Sequence, residues 1–213
     1  MKLETIAAHL TRPRMGRRLA VLTVSLMVIG TSVALFKTAG FGTDPYSTFT
    51  LGISARTGVS FGTCQLVCNL LMFLPVIRFD LSRIGVGTVA NMVGIGYVAD
   101  FWMWVIGQHT PPEGFSMGAR ILMLIVSMAA FLAAAAFYMV VDLGVAPYDA
   151  IPQLIAAHTG RLSARAVRML WDILILSIGF LLGSTVGLTT LIAGFCLGPA
   201  ITFVSDHVKH WFV

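Results

Sequence analysis

The sequence predicts an all-α, polytopic membrane protein: six transmembrane helices arranged as two inverted three-helix repeats, each with a short broken or re-entrant helix. Three observations carry this. Apolar residues make up 57% of the 213 and charged residues only 11%, with a mean hydropathy of +0.89, whereas charged residues approach a quarter of an ordinary soluble domain. Six apolar runs, 19–36, 61–77, 86–106, 121–141, 166–182 and 188–204, each approach the roughly 20 residues that a helix needs to cross the hydrocarbon core. Finally, a shift of 102 positions lays the second half of the chain over the first, and such self-similarity is the mark of a duplicated unit.

The elements follow in chain order. Residues 1–14 form a tail that precedes repeat 1, at 15–107; a linker at 108–116 leads to repeat 2, at 117–207, and a tail at 208–213. The first apolar run is too long, and too poor in a small-residue cleavage site, to be a removed signal peptide, so it stays as a span. Lys and Arg favour the cytoplasmic side of short loops. With the N-terminus inside, Lys2, Arg12, Arg14, Arg17, Arg18, Arg78, Arg83, Arg161, Arg165 and Lys209 fall inside, and Lys37, Arg56 and Arg120 outside. Both termini are therefore expected on the cytoplasmic side of a bacterial inner membrane. The net charge of +5 belongs to span ends and not to one folded face, which argues against nucleic acid as a partner.

Between the first two runs lies GTDPYSTFTLGISARTG (42–58), and the 102-residue shift places it over GVAPYDAIPQLIAAHTG (144–160). Gly42, Pro45, Tyr46, Ile53, Ala55, Thr57 and Gly58 recur as Gly144, Pro147, Tyr148, Ile155, Ala157, Thr159 and Gly160. The same shift pairs MGRRLAVLTVS with MGARILMLIVS, and Gly85, Thr88, Gly96 and Phe101 with Gly187, Thr190, Gly198 and Phe203. Each half holds three spans, an odd number, so the second copy enters the membrane from the opposite side. Inverted repeats with matching Gly/Pro-broken segments are the pattern of secondary transporters, whose solute binds between those segments.

Within each segment the residues spell a short helix, at 45–56 and 147–158. Asp44 is an N-cap, Pro45 and Pro147 suit the first helical position, and Gly58 closes the end in a left-handed conformation. Twelve residues span about 18 Å, enough to dip into a bilayer but not to cross it. Broken backbone at membrane depth must be buried in protein or line a wet cavity, and half-helix amides facing such a cavity can hold an anionic group. The competing reading is a pair of interfacial helices that cap the bundle.

Polar residues inside spans are the second clue, because ionisable groups in lipid are costly and face a cavity or one another. Arg168 and Asp172 stand four apart on one helix face and are expected to pair; Gln65 and Asn69 repeat that spacing in the second span. A one-residue slip brings Asn69 over Asp172 and Ser60 over Ser163. The predicted solute-binding set is thus Asp44, Pro45, Tyr46, Ser47, Gln65, Asn69, Pro147, Tyr148, Asp149, Arg168 and Asp172. Asn91 adds a polar group to the third span, and Asp100, beside Phe101, Trp102 and Trp104, reads as an interfacial residue without function. Cys64, Cys68 and Cys196 read as small packing residues, and His9, His109, His158, His207 and His210 fall in connections or tails, so neither metal nor cofactor is expected.

The pattern of Gly42, Pro45, Tyr46, Ser47, Thr57 and Gly58, repeated in Gly144, Pro147, Tyr148, Asp149, Thr159 and Gly160, resembles the YczE/YyaS/YitT group of bacterial membrane proteins, as does GVGT at 85–88. The resemblance implies a bacterial inner-membrane protein and names no substrate. In that group Trp-Asp often follows the Pro; here Tyr46 and Ser47 depart, and Asp149 alone keeps the acid. The function expected from the whole is a small secondary transporter of a small organic solute with an anionic group, working in the lipid bilayer, alone or as a homodimer. The alternatives are a non-transporting accessory protein of a biosynthetic or lipid-handling complex, and the substrate-binding subunit of an ATP-driven importer. No nucleophile–base pair, paired carboxylates or P-loop occurs in the spans, so no enzyme is expected.

Overall fold

The structure, a computed structural model, describes residues 13–109, 114–160 and 162–208, apart from the side chains of 195–201 and 205. The expected tails with Lys2, Arg12, His9, Lys209 and His210, and also Arg161 and the Cys196 side chain, lie outside the described residues. The described residues are helical and contain no strand. In order they form α1 (Met15–Ala39), α2 (Pro45–Thr57), α3 (Phe61–Phe79), a 3₁₀ turn (Leu81–Arg83), α4 (Val86–His109), α5 (Met117–Val140), α6 (Pro147–Thr159), α7 (Ala164–Leu181) and α8 (Leu188–Val208).

Local chemistry sets the boundaries. The short helices α2 and α6 begin on their prolines, where a missing N–H costs nothing, and end at Gly58 and Gly160 with φ of 71° and 61°, a conformation that a side chain would strain. Asp44 caps α2 by accepting a hydrogen bond from the Ser47 amide at 3.0 Å. The long helices that follow start on serine caps at corresponding places: the Ser60 hydroxyl accepts from the Thr63 amide, and that of Ser163 from the Ala166 amide.

Among the described residues, four helices are long and apolar enough to cross a membrane: α1, α3, α4 and α5. The fifth predicted span corresponds to α7, whose 18 residues carry Arg165, Arg168 and Asp172 and so do not qualify on composition. The sixth corresponds to α8.

Packing repeats itself across the two halves. α1 packs along α5; α1 on α4 is matched by α5 on α8; α2 on α7 is matched by α6 on α3. Arg18 at the start of α1 donates to the Val141 carbonyl at 2.7 Å, and Arg120 near the start of α5 donates to the Ala39 carbonyl at 2.7 Å. The Gly87 amide donates to the Leu143 carbonyl at 2.7 Å and the Thr189 amide to the Phe41 carbonyl at 2.9 Å. Every pair in these couples is related by 102 positions. Both crossings rest on glycine: at Gly42 (φ 86°) a Cβ would come within 2.7 Å of the Gly187 amide nitrogen, and at Gly144 (φ 115°) within 2.6 Å of that of Gly85.

The main apolar core joins α1 to α5, with Leu22, Leu26, Ile29, Val33 and Phe36 against Leu124 and Phe131. A smaller core surrounds Tyr46, Cys68, Tyr148 and Ile175, so Cys68 packs there as its sequence context predicts. Asp100 corrects one expectation. Its carboxylate accepts a hydrogen bond from the Gly62 amide at 2.8 Å, satisfying one of the unpaired donors at the start of α3 and tying α4 to α3 where Gly62 and Gly96 allow close approach. It caps a helix and is not an idle interfacial residue.

Candidate functional site

The two half-helices meet at their N-terminal ends. Tyr46 and Tyr148, each directly after the helix-starting proline, stack with ring centroids 4.6 Å apart and an interplanar angle of 21°. Each hydroxyl reaches the long helix that follows in its own half. Tyr46 donates to the Asn69 side-chain oxygen at 2.8 Å and to the Gln65 carbonyl at 3.2 Å, and Tyr148 donates to Asp172. Asn69 and Asp172 thus occupy the same place in the two halves, as the slipped alignment predicts.

Around these matched tyrosines the polar residues differ. Arg168 donates from Nε to both oxygens of Asp172, at 3.1 and 3.0 Å, and from Nη1 to Asp149 Oδ1 at 2.5 Å; its guanidinium carbon lies 5.0 Å from the centroid of the Tyr148 ring. The expected pair is therefore a triad, and loss of Asp172 alone would not leave Arg168 bare. In the first half the corresponding positions hold Ser47 and Gln65, both buried and neutral. The Gln65 backbone carbonyl serves Tyr46, and its side-chain oxygen lies against Gly96 on α4. Asp44 keeps one carboxylate oxygen buried without a partner, as Asn69 does its side-chain nitrogen, and Asp44 lies within electrostatic reach of Asp172. Pro45 and Pro147 are buried and serve to start their helices.

Two clefts are lined by corresponding residues of the two halves. One, of about 220 Å³, includes Leu51, Ser54, Ala55 and Thr185; the other, of about 560 Å³, includes Gln153, Ala156, Ala157 and Arg83, each 102 positions from its counterpart. The larger also includes Asp149 and Arg168, so it reaches from the protein surface to the charged half of the centre. At its mouth Arg83 donates to Asp80 at 2.7 Å and to Gln153. Asp80 lies in the turn beyond α3, and its hydrogen bond from Ser82, with further help from Arg83, holds its pKa below the ordinary carboxylate value against the opposing effect of burial.

Sequence reasoning missed Arg83, Gln153 and Trp171. Gln153 was within reach, since it stands four residues after Asp149 on one helix face. Trp171 packs against Tyr148 at 6.1 Å with its indole nitrogen buried and unpartnered, one residue before Asp172. For Arg83 the spacing from Asp80 signals only a local ion pair; its tie to the cleft has no local signal, because Gln153 is 70 positions away.

The long apolar helices point to a helical membrane protein with a polar centre between two half-helices. The chain belongs to DUF6198, a family of unknown function, whose profile matches residues 16–206. It is similar to an uncharacterized protein of Haemophilus influenzae, 24% identical over 187 residues that cover 88% of this chain and 83% of that one. No solved structure matches it.

Proposed function

We propose that the chain is a small secondary-type transporter that moves a small organic solute, bearing an anionic group, through a central cavity between two inverted repeats. One observation supports this best: two clefts are lined by corresponding residues, and the larger reaches Asp149 and Arg168 beside a stacked tyrosine pair on which both half-helices converge. A pair of caps on a bundle would have no reason to bring Tyr46 and Tyr148 face to face in the interior, or to line a cleft with Arg168 and Asp149. In this reading α1, α4 and α7 run outward and α3, α5 and α8 inward, so the repeat that begins with α1 enters the membrane from the cytoplasmic side and the one that begins with α5 from the other, with both termini on the cytoplasmic side of a bacterial inner membrane. The resemblance to the YczE/YyaS/YitT group agrees with that setting.

Alternating access would then exchange the two clefts while the tyrosine stack separates them. The test is purified protein in proteoliposomes, loaded with single organic acids or amino acids and assayed for counterflow of the same labelled compound. Movement above protein-free liposomes is expected for at least one compound, and slower for Tyr148→Ala. No movement of any, together with stable co-purification of an ATPase, would contradict the reading and support an importer subunit instead.

A further inference from the structure

The larger cleft carries an ordered set of charges. Asp149 and Gln153 stand four residues apart on α6, about 6 Å along its axis, and each holds a guanidinium from another segment: Arg168 on Asp149 at 2.5 Å, Arg83 on Gln153. All four residues line the cleft. At the deep end Asp149, Arg168 and Asp172 together carry one negative charge in excess, and the Asp149 side chain is 36% exposed. At the mouth Arg83 is balanced by Asp80, and it uses Nε and one terminal nitrogen in its bonds to Asp80 and Gln153. A guanidinium has five N–H donors, so those on its second terminal nitrogen remain for a ligand.

This arrangement discriminates between ligand charges. A dianion at the deep end would have to displace Asp149 from Arg168 and strand a carboxylate beside it, and unpaired charge at depth is costly. A dication would meet Asp149 at one end but Arg83 at the other. A molecule with an ammonium at the deep end and a carboxylate at the mouth matches both and adds no net charge. Pro152, also in the cleft lining, has no N–H, so the Tyr148 carbonyl lacks the donor that a helix normally supplies from four residues on. At the corresponding place in the first half Thr50 bonds the Tyr46 carbonyl at 3.0 Å, and Ser47, Leu51 and Thr185 replace Asp149, Gln153 and Arg83, so the smaller cleft presents no such pattern.

We infer that the larger cleft binds a small zwitterion, its ammonium on Asp149 and its carboxylate on Arg83, which is held by Gln153 about one helical turn further along α6. This rests on reading that cleft as the solute site and names the solute class. Three probes with the same four-carbon chain test it: 4-aminobutyrate, succinate and 1,4-diaminobutane, titrated calorimetrically into the purified full chain. 4-Aminobutyrate is expected to bind at least tenfold more tightly than either of the others. Asp149→Asn and Arg83→Gln should each weaken it at least tenfold, and Ser54→Ala in the smaller cleft should leave it unchanged. Should Asp149→Asn fail to fold, Arg83→Gln at the partly exposed mouth decides alone. Equal or tighter binding of succinate or diaminobutane, no binding of 4-aminobutyrate, or insensitivity to Arg83→Gln would each overturn the assignment. Flux in proteoliposomes separates the two readings. Binding of 4-aminobutyrate without movement keeps the site and defeats transport, whereas movement of succinate keeps transport and defeats the zwitterion.

Discussion

Tyr46 and Tyr148 stand on matching half-helices, stack on each other, and send their hydroxyls to matching positions, yet one ends on the amide of Asn69 and the other on the carboxylate of Asp172. The amide needs no counter-charge. The carboxylate at that depth does, and Arg168, with Asp149 as its second partner, supplies it. The backbone frame is therefore held alike in both halves by packing and by glycine crossings, while the polar filling has diverged. Where a charge entered, its electrostatic cost recruited neighbours that the neutral half lacks.

Substitutions in the filling should accordingly have unequal effects, and substitutions in the frame equal ones. The largest expected effect is Arg168→Met, which leaves Asp149 and Asp172 uncompensated and should cost about 3 kcal/mol, the low end of the range for a broken buried pair because the guanidinium is about a third exposed. Gln65→Met removes a buried acceptor that has no partner and should change stability by less than about 1 kcal/mol. Unfolding in detergent compares them, and equal losses would dissolve the distinction between the halves. In the frame, Gly42→Ala and Gly144→Ala both place a Cβ against backbone at positive φ and should each cost about 2 kcal/mol; an effect confined to one half would mean that the crossings are not equivalent.

The reciprocal exchange sharpens the contrast. Asn69→Asp adds an unpaired carboxylate and should cost about 2 kcal/mol, whereas Asp172→Asn keeps an acceptor for Tyr148, leaves Arg168 its Asp149, and should cost about half as much. A larger loss for Asp172→Asn would mean that Asp149 does not compensate Arg168. The smallest effect concerns Asp80. A pKa depressed in the folded state contributes stability that is present above the unfolded carboxylate value and lost as pH falls through the lower folded value. Wild-type stability should thus decline on acidification below about pH 4 slightly more than that of Asp80→Asn, and parallel profiles would assign Asp80 no role in holding Arg83.

Much of the frame was legible in the sequence because backbone geometry restricts residue choice. Proline at a helix start, glycine at a left-handed stop and glycine at a crossing leave marks that survive divergence, so the half-helices were predicted to within one residue at their ends. The link from Asn69 to Asp172 required a one-residue slip: two residues separate Gly58 from Phe61 and three separate Gly160 from Ala164. The Tyr46–Tyr148 stack, the Arg83–Gln153 bond and the cap of Gly62 by Asp100 were not legible. Each joins segments far apart in sequence, and the packing that brings them together leaves no local trace.

The central claim, that the two half-helices line clefts opening to opposite sides of the membrane, is tested most directly by paired accessibility at Ala55 and Ala157. Both are exposed, line corresponding positions of the two clefts, and stand 102 residues apart. Each would be replaced singly by cysteine in a protein with Cys64, Cys68 and Cys196 changed to alanine, and labelled with a membrane-impermeant thiol reagent in right-side-out and inside-out vesicles. The account predicts that Ala55→Cys reacts from the periplasmic side and Ala157→Cys from the cytoplasmic side. Reaction of both from the same side would contradict it.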